Sequence, residues 1–193
     1  MTYHVLGIRG SPRRRSNSLV LLEQVLAGAR DAGAQTRLIA PWKMEIQPCL
    51  ACDGCYRDGH CVVRDDFQKA YEQIAACDAL ILATPVYFGA VSAQVKPLID
   101  RCQSFWALRY VLQAPMPPSP AGGPRRGILI ATSGRDRPSM FDGVRTTFKF
   151  LMDALQGQVY AELLYGGYDN PDAIRLNGEA LTLAYETGQQ LVT

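Results

Sequence analysis

"YHVLGIRGSPRRRSNS", Tyr3 to Ser18, is the stretch on which the reading of this chain turns. Its first half is a short apolar run rich in strand-forming residues, and its second half is glycine, serine, proline and arginine. From Ser18 apolar residues recur at helical spacing to about Ala32. The opening unit is therefore strand, loop, helix. Working outward, a second strand fits Gln35 to Ala40. "DALILAT", Asp78 to Thr84, is a continuous apolar run of the kind buried on both faces of a parallel sheet, and it stops at Pro85. A helix is predicted from about Val91 past Trp106, ended by the connection "APMPPSPAGGP", Ala114 to Pro124. Then follow a strand at Gly127–Thr132, a helix near Asp142–Leu155, a strand around Val159–Leu164 and a helix near Gly178–Leu191.

Strands alternating with helices predict an α/β fold, a doubly wound five-stranded parallel sheet with helices on both faces, because each parallel crossover is long and covers a face. The 193 residues suffice for one domain, 1–193, with a cysteine-rich loop at 47–66. Twenty basic residues against eighteen acidic ones leave a formal charge of +2, which argues against nucleic acid as a partner. The first residues lack a basic region followed by an apolar leader, and no apolar run is long enough to span a bilayer, so a soluble cytoplasmic protein without membrane contact is expected.

In such a sheet ligands sit beyond the carboxyl ends of the strands. The loop "GSPRRRSNS" leaves a strand there and enters a helix, so its backbone N–H groups and the positive helix end form an anion cradle suited to a phosphate monoester. Ser11, Ser16, Asn17 and Ser18 add donors, and Arg13, Arg14 and Arg15 add charge; capping of the helix by Ser16 or Asn17 is the plainer reading. The loop matches neither GxxxxGK followed by Ser or Thr nor GxGxxG. After the third strand, "PVYFG", Pro85–Gly89, puts two aromatics at a strand end, where a flat ring could stack or a subunit could dock. Lys96 and Asp100, with Arg101 beside them, read as an ordinary surface ion pair.

Together "GSPRRRSNS", "PCLACDGCYRDGHCVVRDDF" and "TPVYFGAVSAQVKPLIDR" resemble the iron-sulfur flavoproteins, part of the NADPH-dependent FMN reductase branch of the flavodoxin-like fold. The resemblance is strong from about Val5 to Arg101 and weaker through "MFDGVRTTFKFLMDALQGQ". It implies a flavodoxin-like sheet that binds FMN and assembles as a homodimer or homotetramer. The cofactor-binding residues it implies are Gly10, Ser11, Pro12, Arg13, Ser16, Asn17 and Ser18 around the phosphate, and Pro85, Val86, Tyr87, Phe88 and Gly89 framing the ring. After the fourth strand the chain reads "TSGRDRPSM" where relatives are richer in glycine; Ser133, Gly134 and Arg135 are placed near the ring, or else form a solvated turn.

Cys49, Cys52, Cys55 and Cys61 are spaced C-x2-C-x2-C-x5-C, and the first three match a ferredoxin-type run that holds a [4Fe-4S] cluster. Gly59 permits a turn returning Cys61 to the same cluster. Free thiols and a zinc site remain alternatives at this stage, while a disulfide framework is disfavoured in a reducing compartment. Cys77 and Cys102 read as small buried hydrophobes, His60 as a loop residue, and Asp65 and Asp66 as caps of the helix "FQKAYEQIAA". The expected activity is redox chemistry with FMN and a [4Fe-4S] cluster, fed by ferredoxin or another carrier. The alternatives are a cluster-free FMN or quinone reductase using NAD(P)H, and a zinc-stabilised binding module without catalysis. No Ser-His-Asp set or paired carboxylates are evident, so no catalytic side chain is assigned.

Overall fold

The computed structural model describes residues 2–193. Five parallel strands form one sheet in the order β2-β1-β3-β4-β5: β1 (His4–Arg9), β2 (Gln35–Ile39), β3 (Ala79–Pro85), β4 (Arg126–Thr132) and β5 (Gln158–Tyr165). This is the flavodoxin-like order, in which the chain reverses direction across the sheet between β1 and β3. The helices are α1 (Asn17–Asp31), α2 (Phe67–Ala75), α3 (Lys96–Arg101), α4 (Gln103–Tyr110), α5 (Asp142–Ala154) and α6 (Gly178–Val192).

Alternation along the central strands divides the core. Val5, Ile81, Ala83, Ile128 and Ile130 face α1 and α6, whereas Leu6, Ile8, Leu80, Leu82 and Leu129 face α2 to α5. Strand residues successively point to opposite faces, and here both faces are covered, which is why "DALILAT" reads as unbroken apolar sequence. Each fully buried Leu or Ile contributes about 1.5–3 kcal/mol. The Pro/Gly-rich connection before β4 runs past the amino ends of the strands, away from the ligand rim. It is fastened there by Asp78, whose carboxylate accepts from the backbone N–H groups of His4 at 2.8 Å and Ala121 at 2.7 Å.

The helix expected from Val91 past Trp106 is not continuous. Residues 93–95 form a turn, α3 starts only at Lys96, and a break at Cys102 separates α3 from α4. Ser92 is the cause of the late start: its Oγ donates to Gly10 O at 2.6 Å and its N–H donates to Thr84 Oγ1 at 3.1 Å. These bonds hold Ser92 against the exits of β1 and β3, and the helical turn starts only from it, its carbonyl accepting from Val95 N at 3.1 Å and Lys96 N at 3.2 Å.

Candidate functional site

Gly10 leaves β1 pressed against β3, its N–H donating to Ala83 O at 2.7 Å; a Cβ there would lie 2.9 Å from that same oxygen. Beyond it, Ser16 is extended and caps α1, its Oγ accepting from Leu19 N at 3.2 Å, as the plainer reading anticipated. Capping accounts for one donor only. Among the described residues, the backbone N–H groups of Ser11 and of Arg13 to Ser18 donate to no acceptor, and the first turn of α1 carries no acidic side chain. A helix start so equipped attracts an anion.

The arginines divide by duty. Arg9 braces the loop from within, donating to Ser11 O at 3.1 Å and to Arg13 O, and Arg15 pairs with Asp172 at 2.6 Å. Arg13 lines the cleft. The Asn17 side chain is fully engaged in holding the loop after β5: Nδ2 donates to Tyr168 O at 3.0 Å and Asn170 O at 2.9 Å, and Oδ1 accepts from Ile174 N at 3.0 Å. Only its backbone N–H is available to a ligand.

After β3, Tyr87 and Ala90 exchange backbone hydrogen bonds of 3.1 and 3.0 Å around Phe88 and Gly89, whose φ values are +51° and +75°. Two successive positive φ values make a tight hairpin turn, ordinarily built from Asn and Gly. Here a phenylalanine occupies the first position, fully exposed, and a left-handed conformation costs such a residue about 1–2 kcal/mol. Phe88→Gly should therefore leave stability unchanged or raise it by up to about 1 kcal/mol in urea denaturation, the relief being partly offset by glycine's chain entropy. A clear loss of stability would mean that the ring packs against the fold.

The two loops meet in a cleft of about 160 Å³ that brings together Ser11, Arg13, Ser16, Asn17, Pro85, Val86, Tyr87 and Gly134 from the anticipated set. The remaining members lie elsewhere. Ser18 sits behind Ser16, their hydroxyls 3.2 Å apart, Phe88 and Gly89 are at the turn tip, and Arg135 points into solvent. Ser133 is buried, its Oγ accepting from Arg135 N at 3.2 Å. Tyr168, Asp169 and Pro171 form a further wall that sequence reading missed. Two larger grooves, each of about 610 Å³, lie along α5 and β5, and neither includes any of the rim loops.

Cys49, Cys52, Cys55 and Cys61 line one small cavity with Arg101, Gln103 and Ser104. Gly59 has φ +78° and sits on α4, where a Cβ would be 2.2 Å from Leu108, so the turn anticipated for it is present. Burial first, then the neighbouring Cys61, Cys49 and Cys52, push the Cys55 thiol above its ordinary range. At about 30 Å³ the cavity has room for roughly one water. Among the described residues, no three His, Cys, Asp or Glu are arranged to hold a single metal ion. His60 stays in the loop, its Nδ1 2.9 Å from Asp58 O. Cys77 and Cys102 are buried, and burial pushes both thiols to about 12, as suits inert core residues.

Lys96 and Asp100 form the expected surface pair at 2.7 Å, but Arg101 does not belong with them. Its side chain is 1% exposed and stacks on Phe67, with the guanidinium carbon 4.6 Å from the ring centroid. It clasps the cysteine loop, donating to Gln47 O at 3.0 Å, Val63 O at 3.0 Å and both oxygens of Asp65 at 2.8 and 3.2 Å. Asp65 also accepts from Gln47 N and Phe67 N, each at 2.9 Å, so it is both the cap of α2 and the counter-ion; Asp66 makes no such cap.

The sequence profile of the NADPH-dependent FMN reductase family matches residues 3–137. Over 97 residues, half of each chain, the protein is 39% identical to an iron-sulfur flavoprotein of Methanocaldococcus jannaschii. It is 38% identical over 97 residues to an iron-sulfur flavoprotein of Methanosarcina thermophila, covering 50% of this chain and 51% of that one. The chain thus spans about half the length of the curated relatives it matches. Among solved structures, an NAD(P)H:quinone oxidoreductase from Methanothermobacter marburgensis superposes with a TM-score of 0.68 at 18% identity, covering 99% of this chain and 96% of that one. An azoreductase from Bacillus anthracis superposes at 0.66 and 15% identity, covering 100% and 99%. At such identities these structures bear on the fold alone.

Proposed function

The chain belongs to the NADPH-dependent FMN reductase family, and from that premise and the cleft at its strand ends we propose that it is an FMN-dependent oxidoreductase. The observation carrying this reading is the run of unused backbone N–H groups from Ser11 to Ser18, with Arg13 beside it and the Pro85–Tyr87 backbone opposite. That set fits a phosphate with a polyol arm, and a flat ring would lie against the hairpin at the mouth of the cleft. Ser11 and Ser16 hydroxyls would bond the phosphate, Arg13 would offset its charge, and the exposed ring of Tyr87 would cover one side of the flavin. FMN, when bound, supplies hydride and single-electron chemistry, while the chain orients and shields it. Tyr87 and Phe88 also suit a contact within a dimer or tetramer.

The finer reading is that the cysteine array takes a [4Fe-4S] cluster. Four thiols share one cavity, and a buried, unpaired Arg101 Nε–H borders it. A cube seats each thiolate on its own iron and so spreads the ligands more widely than a single ion would. Loading would still require the loop to open, since the cavity now holds only about 30 Å³. Cys49, Cys52, Cys55 and Cys61 would be the ligands and would give the flavin a one-electron partner, with ferredoxin or a similar carrier as donor. The closed cavity favours a second reading, a cluster-free reductase that takes hydride from NAD(P)H. A zinc-stabilised module without catalysis is not proposed, because the family match points to a flavin-dependent reductase.

Anaerobic purification followed by flavin, iron and sulfide analysis tests these readings. One flavin and about four iron per chain support the first; flavin without iron, together with rapid NADPH oxidation, supports the second. Chain without flavin sinks both. Arg13→Ala should weaken FMN binding by about tenfold, the worth of one charge-assisted contact, in a fluorescence titration, while riboflavin binding stays unchanged.

A further inference from the structure

Arg101 uses four of its five N–H bonds on Asp65, Gln47 and Val63, an arrangement that explains the loop's shape but not the fifth bond. That fifth donor, Nε–H, is buried with no acceptor, and the side chain forms a wall of the cavity lined by the four cysteines. Buried donors are seldom left without a partner, so one left at the edge of a thiol cavity points to a ligand sulfur that turns toward it when the array is loaded. Cys61 lines the same cavity as Arg101.

We infer that Arg101 is the positioning residue of the loaded cysteine array, its Nε–H reserved for a sulfur ligand, with Cys61 as the acceptor. The inference rests on the cluster reading of that array. Four thiolates brought to one small cavity concentrate negative charge, and the guanidinium, its fork held by Asp65, stands at the wall of that cavity to offset it. A hydrogen bond to a ligand sulfur favours the more electron-rich, reduced cluster and so raises its potential.

Arg101→Lys keeps the positive charge and can still pair with Asp65, but it has no donor at the Nε position. Its flavin, iron and sulfide contents should equal those of the unaltered protein. Its reduced-to-oxidised cluster ratio at a fixed applied potential should fall about tenfold, corresponding to a midpoint about 59 mV lower. A purely structural brace would lower the melting temperature and leave the potential where it was, and full iron with an unshifted potential overturns the inference. Should the variant fold poorly, the unaltered protein labelled with 15N-arginine provides a second measurement. Pulsed EPR of its reduced cluster should show coupling to a guanidinium nitrogen, and full iron without that coupling overturns the Arg101 assignment alone. An unaltered protein that takes up no iron overturns the cluster reading and this inference together.

Discussion

Asp65→Ala is expected to destabilise the fold by about 3–5 kcal/mol, because it leaves the guanidinium of Arg101 buried and unpaired. Both partners are nearly inaccessible, with side chains 1% and 8% exposed, so solvent cannot take over the lost contact. The same carboxylate closes the base of the cysteine loop through Gln47 N and caps α2 through Phe67 N, and the substitution removes those bonds as well. Chemical denaturation at neutral pH measures the effect. Burial opposes ionisation of Asp65, but its bonds to Arg101, Gln47 and Phe67 prevail and hold the carboxyl below the usual range. With the folded pKa below the unfolded one, this stabilisation is complete above about pH 4 and is lost as the pH falls through the folded value. The gap between the unaltered protein and Asp65→Ala should narrow in that acid window. A gap that is small at neutral pH, or that does not change with acid, would contradict the buried pair.

Gly28→Ala is expected to cost about 2 kcal/mol or more by overpacking, although alanine gains about 1 kcal/mol of helix propensity over glycine. The reason is a reciprocal contact between α1 and α6. A Cβ on Gly28 would lie 2.0 Å from Tyr185 O, and one on Gly188 would lie 2.0 Å from Val25 O. Backbone meets backbone at both points, so no side-chain rotation can relieve the clash and the helices must separate. The separation would be felt at the site, since the start of α1 anchors the 168–174 loop through Asn17. A lower urea midpoint together with weaker FMN binding is the expected pair of results. A raised midpoint would show that propensity governs and that the helices are not in this contact.

The layered fold was legible because its signals are local. Strand residues such as Leu80 to Ala83 are buried on both faces, and the change from apolar run to "GSPRRRSNS" marks a strand end at a single glance along the chain. The placing of the Gly10–Ser18 loop and of the aromatic hairpin at strand ends was legible for the same reason, each lying within a few residues of a strand. What depends on distant partners was not. The Asn17 side chain serves a loop 151 to 157 positions away, which no local pattern announces, and so it reads as a ligand donor. The wall formed by Tyr168, Asp169 and Pro171 escaped notice for the same reason. Arg101 misled through its neighbour: Lys96 and Asp100 do pair on the surface, but one further residue turns a side chain by about 100° around a helix, and that rotation carries Arg101 inward. Its buried partner Asp65 read correctly as a cap and incompletely as anything else. The split between α3 and α4 likewise follows from bonds between Ser92 and the exits of two strands.

The central claim, a flavin mononucleotide seated by its phosphate on the Ser11–Ser18 loop, is tested most directly by titrating the flavin-free protein with FMN and, separately, with riboflavin while following flavin fluorescence. The two ligands differ only in the phosphate, the group that the proposal assigns to the loop's unused backbone N–H groups and Arg13. One FMN per chain should bind with quenched fluorescence, and riboflavin should bind at least about a hundredfold more weakly, the worth of two or more charge-assisted hydrogen bonds. Equal affinity for FMN and riboflavin, or no binding of either, would contradict the account.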